Sequence, residues 1–381
     1  MTRSMPATGV PTPQQCAAAA RRLTGRVRRT PVLELPAGDL CPCPVTLKLE
    51  TLQHTGSFKA RGALNAVLTA PPGTTSITAA SGGNHGAAVA WAARQVGLPA
   101  DVFVPAFVPP AKAALIKQYG ATLHLVEGFY ADALSASRAH AQQHGACHVD
   151  AYDDPDVVAG QSTLGGELAE QIAPGRPVLL SCGGGGLFAG VSLALRGRNP
   201  VVAIEPATAP TLHRALTAGH PVDVEVAGIA MDSLGARSAG AIAVHVAQEL
   251  HAATLLVPDE AIEHAQHHLW AVMRLAVEAG GATALAARSH QYMAGPKPRG
   301  RTLRRQRLGP TTTGPSLTLN HSHKPILCDT SSRQARVASP ASGSPSACGT
   351  GVGAASATGS TSSRSVRTAR RRGESVIRLA T

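Results

Sequence analysis

Three short stretches hold residue types that could work together on a small anionic substrate. In Thr55-Gly56-Ser57-Phe58-Lys59-Ala60-Arg61-Gly62-Ala63 a single lysine follows a Gly-Ser turn and opens an apolar run. A lysine that forms an imine must be positioned and partly desolvated, so that its amine can be neutral, and a turn into a helix would do both. In Ser81-Gly82-Gly83-Asn84-His85-Gly86 a glycine turn leads into an Ala-rich run. Free backbone N–H groups at such a helix start favour an anion such as a carboxylate, and the Asn84 amide could donate to a phenolic oxygen. In Ser181-Cys182-Gly183-Gly184-Gly185-Gly186-Leu187 four glycines allow main chain to wrap closely around a phosphate. This third stretch lacks the Lys-Ser/Thr of a P-loop and the spacing of a dinucleotide fingerprint. Each stretch alone also has a plainer reading: a solvated lysine, a turn capped by Asn84 with a structural His85, and a flexible loop. Their order within one chain is more specific than any one of them.

The surrounding pattern supplies elements to position them. Strands are expected at Val45–Leu49, 76–79, 101–104, Thr122–Val126, Val178–Ser181 and 201–204. Helices are expected at 57–68, 84–96, 111–119, 131–143, 161–172 and 187–195, with a last helical pattern over 259–287. Alternation of this kind predicts parallel sheets covered by helices. The glycine turns fall where strands end and helices begin, which is where open α/β sheets place ligands.

Composition divides the chain. From Arg288 onward sixteen Lys/Arg face only Asp329 and Glu374, while the whole chain has 35 basic and 23 acidic residues. The basic character therefore belongs to the tail, and a nucleic-acid reading of the whole protein is excluded. Those last 94 residues hold one aromatic, Tyr292, and are dense in Ser, Thr, Arg, Pro and Gly. Such a composition buries too little apolar surface to offset chain entropy, so 288–381 is expected to be a disordered basic tail. Its arginines lack interleaved aromatics, which argues against nucleic-acid binding. The seven cysteines show neither zinc-ligand nor CxxC spacing and read as idle thiols. The polar, Pro/Thr-rich N-terminus has no signal-peptide core, and no apolar run reaches membrane-spanning length. A cytoplasmic protein that binds no membrane is expected.

Taken together, the three motifs resemble the fold-type II enzymes that depend on pyridoxal 5'-phosphate (PLP), and within them the threonine/serine dehydratases and serine racemases. Thr30-Pro31-Val32, Lys48-Leu49-Glu50, Glu205-Pro206 and 280–287 support the resemblance, which covers about 29–287. Ala60-Arg61-Gly62 after the lysine is the dehydratase form. The resemblance implies a two-domain α/β fold like that of the tryptophan synthase beta chain. A large domain (1–76 and 151–287) and a small one (77–150) would hold PLP between them. It implies Lys59 as Schiff-base lysine and base at Cα, with Phe58 beside the cofactor ring and Asn84 on its phenolic oxygen. Gly183, Gly184, Gly185, Gly186 and Leu187 would cradle the phosphate. Ser81, Gly82, Gly83, Asn84 and His85 would receive the substrate carboxylate. A small hydroxy amino acid would lose water and ammonia to give a 2-oxo acid. A dehydratase of 3-hydroxyaspartate, or an inactive remnant with a basic binding tail, remains an alternative. Relatives suggest a homodimer.

Departures from the family pattern carry expectations too. Gly82 replaces the serine that protonates the second face in racemases, so elimination without efficient racemisation is expected. Ala209 and Thr211 stand where relatives place a cation's carbonyl and carboxylate ligands beside Glu205, so no metal is expected. Ala279 follows the acid Glu278 where Pro is frequent. No Ser/Cys-Gly-Gly/Ala-Asn motif for the pyridine nitrogen follows Ala287. Reading common codons of Arg299–Gln306 from their second base restores such a motif, which suggests a frameshift near Ala287. The large sheet is then expected to lack a strand.

Overall fold

The computed structural model describes residues 9–293 and 375–379. The chain opens with α1 (Pro13–Leu23), started by a capping box in which the Thr12 hydroxyl accepts from Gln15 N–H and the Gln15 side chain accepts from Thr12 N–H. An antiparallel pair follows, β1 (Val32–Leu35) and β2 (Val45–Leu49), and then α2 (Lys59–Leu68). The chain next builds β3 (Ile77–Ala80), α3 (Asn84–Gln95), β4 (Ala100–Pro105), α4 (Pro110–Gln118), β5 (Thr122–Val126), α5 (Tyr130–His144) and β6 (Cys147–His148). It returns through α6 (Pro155–Gln171), β7 (Val178–Ser181), α7 (Gly186–Leu195), β8 (Val201–Pro206), α8 (Thr211–Ala218), α9 (Met231–Leu234) and α10 (Ala241–Glu249). β9 (Ala253–Val257), α11 (Asp259–Met273), α12 (Ala279–Met293) and β10 (Ser375–Leu379) complete it.

Two sheets result, and both lie in one compact unit. The smaller runs β5-β4-β3-β6 with every pairing parallel. The larger runs β1-β2-β10-β7-β8-β9 and is parallel apart from the β1–β2 pair. The α/β class with parallel sheets is thus as expected.

Helices α2, α6 and α7 cross at glycines, where backbones come into direct contact. A Cβ on Gly160 would lie 2.6 Å from the Arg61 carbonyl oxygen, and one on Gly190 2.6 Å from that of Val158. This close packing fixes α2, and with it Lys59, against the larger sheet's helical layer. β2 is buried along its whole length, Lys48 included. The Lys48 ammonium reaches the Glu167 carboxylate at 2.6 Å, and Arg61 pairs with both Glu50 (2.8 Å) and Glu167 (2.6 Å). Buried charges of this kind persist only when paired.

Three expectations need correction. The helical pattern over 259–287 is two helices, because Arg274 takes a left-handed conformation (φ 54°) that ends α11. The segment from 288 is not without structure at its start, since α12 continues to Met293. Nor does the large sheet lack a strand, since β10 from the same tail pairs in parallel with β2 and β7, two strands whose facing edges need a partner. The rest of that tail, including Arg299–Gln306, lies outside the described residues.

Candidate active site

Lys59 is the first residue of α2, after a turn in which Thr55 (φ 61°) and Gly56 (φ 74°) are left-handed. Its backbone N–H donates to the Ser57 hydroxyl at 3.3 Å, and its Nζ donates to the Ala151 carbonyl at 2.7 Å. Nζ lies 5.3 Å from the centre of the Phe58 ring, which packs against the cluster that includes Leu164, Leu187 and Val191. The lysine and a glycine-loop residue are thus joined through one apolar layer.

Ser81, Gly82 and Gly83 form the turn between β3 and α3, and Asn84 and His85 are the first residues of the helix. The Ser81 hydroxyl accepts from Gly83 N–H at 3.2 Å. A Cβ on Gly82 would meet Val108 Cγ2 at 2.7 Å, so a serine there would need Val108 to move. His85 is buried, with Nε2 2.9 Å from the Val149 carbonyl oxygen. Burial, and next the charge of Lys59, push its pKa down to about 3, so the imidazole is neutral. That influence of Lys59 ties the first motif to the second. The Asn84 amide donates to the carboxylate of Glu278, the residue immediately before α12.

Gly183, Gly184 and Gly185 join β7 to α7, whose first residues are Gly186 and Leu187. Gly185 is left-handed (φ 86°). A Cβ on Gly184 would collide with the Tyr152 ring, and one on Gly186 would lie 2.6 Å from the Tyr152 carbonyl oxygen. Beneath the loop, Thr211 Oγ1 lies 2.7 Å from the Gly183 carbonyl oxygen and 3.0 Å from a Glu205 carboxylate oxygen. Leu212 and His213 N–H donate to Glu205, at 2.7 and 2.8 Å. Burial nevertheless raises the Glu205 pKa to about 7. Thr211 therefore ties the glycine loop to Glu205 by hydrogen bonds within the protein.

One segment that the sequence reading did not single out brings the three motifs together. Val149, Ala151 and Tyr152 meet His85, Lys59 and the glycine loop in turn. Sequence reasoning also missed Lys112 of α4. A Cβ on Gly83 would lie 3.9 Å from its Nζ, and its ammonium pairs with Asp232 of α9. No local pattern marks these residues, because each contact joins distant parts of the chain.

The donor set fits a phosphate-bearing aldehyde. A part-buried primary amine, an amide that can serve a ring oxygen, and a side-chain-free loop at the start of a ten-residue helix supply the three attachments such a group needs. Comparison with known families agrees: the model of pyridoxal-phosphate dependent enzymes matches residues 23–303. The chain belongs to that family. An L-threonine ammonia-lyase of Geobacter sulfurreducens is 35% identical over 272 residues, covering 70% of this chain and 68% of that protein. An L-threo-3-hydroxyaspartate ammonia-lyase of a Pseudomonas species is 33% identical over 275 residues, covering 71% of this chain and 86% of that one. Among solved structures, a threonine deaminase from T.th. superposes with a TM-score of 0.70 at 35% identity, covering 75% of this chain and 95% of that one. Maize serine racemase superposes with a TM-score of 0.71 at 28% identity, covering 74% and 88%. This PLP-dependent enzyme therefore has the fold and the cofactor that its motifs imply. Among the described residues, no helix is long and apolar enough to cross a membrane.

Proposed function

We propose that the chain is a threonine/serine dehydratase, an ammonia-lyase that converts a small hydroxy amino acid to a 2-oxo acid and ammonia. The observation that carries this reading is the convergence of the Lys59, Ser81–His85 and Gly183–Leu187 motifs on the 149–152 segment. When bound, PLP supplies the electron sink that makes the Cα proton acidic. Lys59 would hold the cofactor through Nζ and, once the substrate amine has displaced it, the freed Nζ would take that proton, with Phe58 placed to line the ring. Gly183 through Leu187 hold the phosphate, and Asn84 donates to the phenolic oxygen. The Ser81–His85 turn orients the substrate carboxylate, and neutral His85 adds no charge that would compete for it. Gly82 offers no proton to the opposite face of Cα, so elimination without comparable racemisation is the expected outcome.

The large part (1–76 and 151–287) serves as the cofactor platform and the small part (77–150) as the carrier of the substrate turn. A homodimer and a cytoplasmic location complete the reading, with no role in nucleic-acid binding. The shift of reading frame near Ala287 is part of the same proposal. Resequencing the gene tests it: an intact second frame must encode a valine-rich strand followed by Ser/Cys-Gly-Ala/Gly-Asn.

A second reading, 3-hydroxyaspartate as substrate, draws on the Pseudomonas relative and on the Lys112 ammonium beside Gly83, which could take a second carboxylate. The experiment compares oxo-acid release from serine, threonine and 3-hydroxyaspartate, together with the cofactor's visible absorbance. Absorbance and product that both vanish in Lys59→Ala are expected. Cofactor absorbance unchanged in that variant, or no product from any of the three substrates, overturns the dehydratase reading. D-serine formed as fast as pyruvate overturns the role given to Gly82.

A further inference from the structure

Asn84 and Glu278 come from opposite sides of the site. Asn84 is the first residue of α3, which follows the smaller sheet's central strand β3. Glu278 immediately precedes α12, and its carbonyl accepts from Gly281 and Ala282 N–H, so the start of that helix fixes its backbone. α12 is anchored in turn by Ser181 at the end of β7, whose hydroxyl accepts from Ala284 N–H at 3.1 Å, and by the Ser233 hydroxyl, which accepts from Gly280 N–H at 3.0 Å. The carboxylate is therefore held by the larger sheet's framework and meets an amide carried by the smaller one.

The chemistry of that meeting is directional. A carboxylate accepts hydrogen bonds, and an amide presents a donating NH2 at one end and an accepting oxygen at the other. The amide oxygen facing Glu278 would set two acceptors against each other. Glu278 therefore selects the orientation in which Nδ2 faces it, and Nδ2 has two hydrogens. One goes to Glu278 Oε1. The other, fixed in direction by the planarity of the amide, remains for a second acceptor. Burial raises the Glu278 pKa, while the Asn84 hydrogen bond and the charge of Lys112 pull it down and Asp232 pushes it up.

We propose that Glu278 is a positioning residue. By accepting one Asn84 amide hydrogen, it aims the other at the cofactor's phenolic oxygen. This rests on the assignment of Asn84 to that oxygen in the proposed function. Glu278 does not touch the reacting atoms; it acts through Asn84, and its removal frees the amide to rotate.

The test uses apoenzyme titrated with PLP and the absorbance of the holoenzyme without substrate, read in wild type, Asn84→Ala, Glu278→Ala, Glu278→Gln and the Asn84→Ala/Glu278→Ala double variant. Glu278→Ala is expected to weaken PLP binding by roughly tenfold, about the worth of one charge-assisted hydrogen bond. It should also shift the cofactor's visible band. Glu278→Gln, which keeps an accepting oxygen, should stay within about threefold of wild type. The double variant should match Asn84→Ala alone, since a residue acting through Asn84 has nothing left to position. If Glu278→Ala proves insoluble, Glu278→Leu, which likewise removes the acceptor while filling the space, is read the same way. Additive losses in the double variant, or a Glu278→Gln variant as impaired as Glu278→Ala, overturn the proposal. An Asn84→Ala variant with wild-type affinity and spectrum overturns the assignment of Asn84 itself, and the proposal with it.

Discussion

Arg61 is two residues beyond the candidate lysine and fully buried, with its guanidinium between Glu50 and Glu167. Lys48 closes the group from β2. Removing one member of a buried ion network leaves the others uncompensated, which costs about 3–5 kcal/mol. Arg61→Met is expected to lose stability of that order in chemical denaturation, and Lys59 should lose its fixed position with it. His85 gives a residue-scale prediction about pH. Its folded pKa is lowered to about 3, below the ordinary value of 6.5, so the folded state disfavours the proton that the unfolded chain accepts. Its contribution is complete above pH 6.5 and is lost as pH falls toward 3. Wild type should lose stability below pH 6.5 more steeply than His85→Gln, by up to about 1.4 kcal/mol per pH unit. Equal slopes in the two proteins would sink this assignment.

At the scale of elements, the position of Lys59 depends on how closely α2 approaches α6. Gly160 leaves no room for a Cβ against Arg61 and Gly62. Gly160→Ala is expected to push the helices apart, to cost about 1–3 kcal/mol as overpacking does, and to reduce cofactor absorbance. A variant with unchanged thermal stability and spectrum would contradict this. The Lys112–Asp232 pair contrasts with the buried network. It joins α4 to α9, yet the Asp232 side chain is 59% exposed. Exposed pairs contribute little, so Asp232→Asn should change stability by less than about 1 kcal/mol.

For the whole molecule, the larger sheet depends on its last strand. β10 pairs with β2 over five residues and with β7 over two, and the pairings on both sides are parallel. A chain ending at Gly373 would leave β2 and β7 with unpaired edges inside the sheet. With each hydrogen bond worth about 1 kcal/mol net, the expected loss is several kcal/mol, together with aggregation through the open edges. Denaturation midpoints and gel filtration of that truncation check it. A truncated protein as stable and monodisperse as the full chain would show that the slot needs no strand.

The sequence alone determined the motifs and the local geometry they need, because glycine turns, caps and apolar runs act over a few neighbouring residues. Lys59 at a helix start, the turn before Asn84 and the glycine loop before Leu187 were all legible in this way. So were most strands of both sheets. β9 and the break at Arg274 were not: β9 is a short Ala-Thr-Leu-Leu-Val run with no glycine turn or motif attached to it, and Arg274 is not a residue that marks a left-handed cap. The tertiary structure decided which partners complete the site. Asn84 and Glu278 are 194 residues apart, and Lys59 and Ala151 are 92 apart. β10, built from a segment whose composition suggested disorder, joins strands far from it in the chain. Contacts across such separations arise only when two sheets and their helices pack, and no stretch of sequence records them by itself.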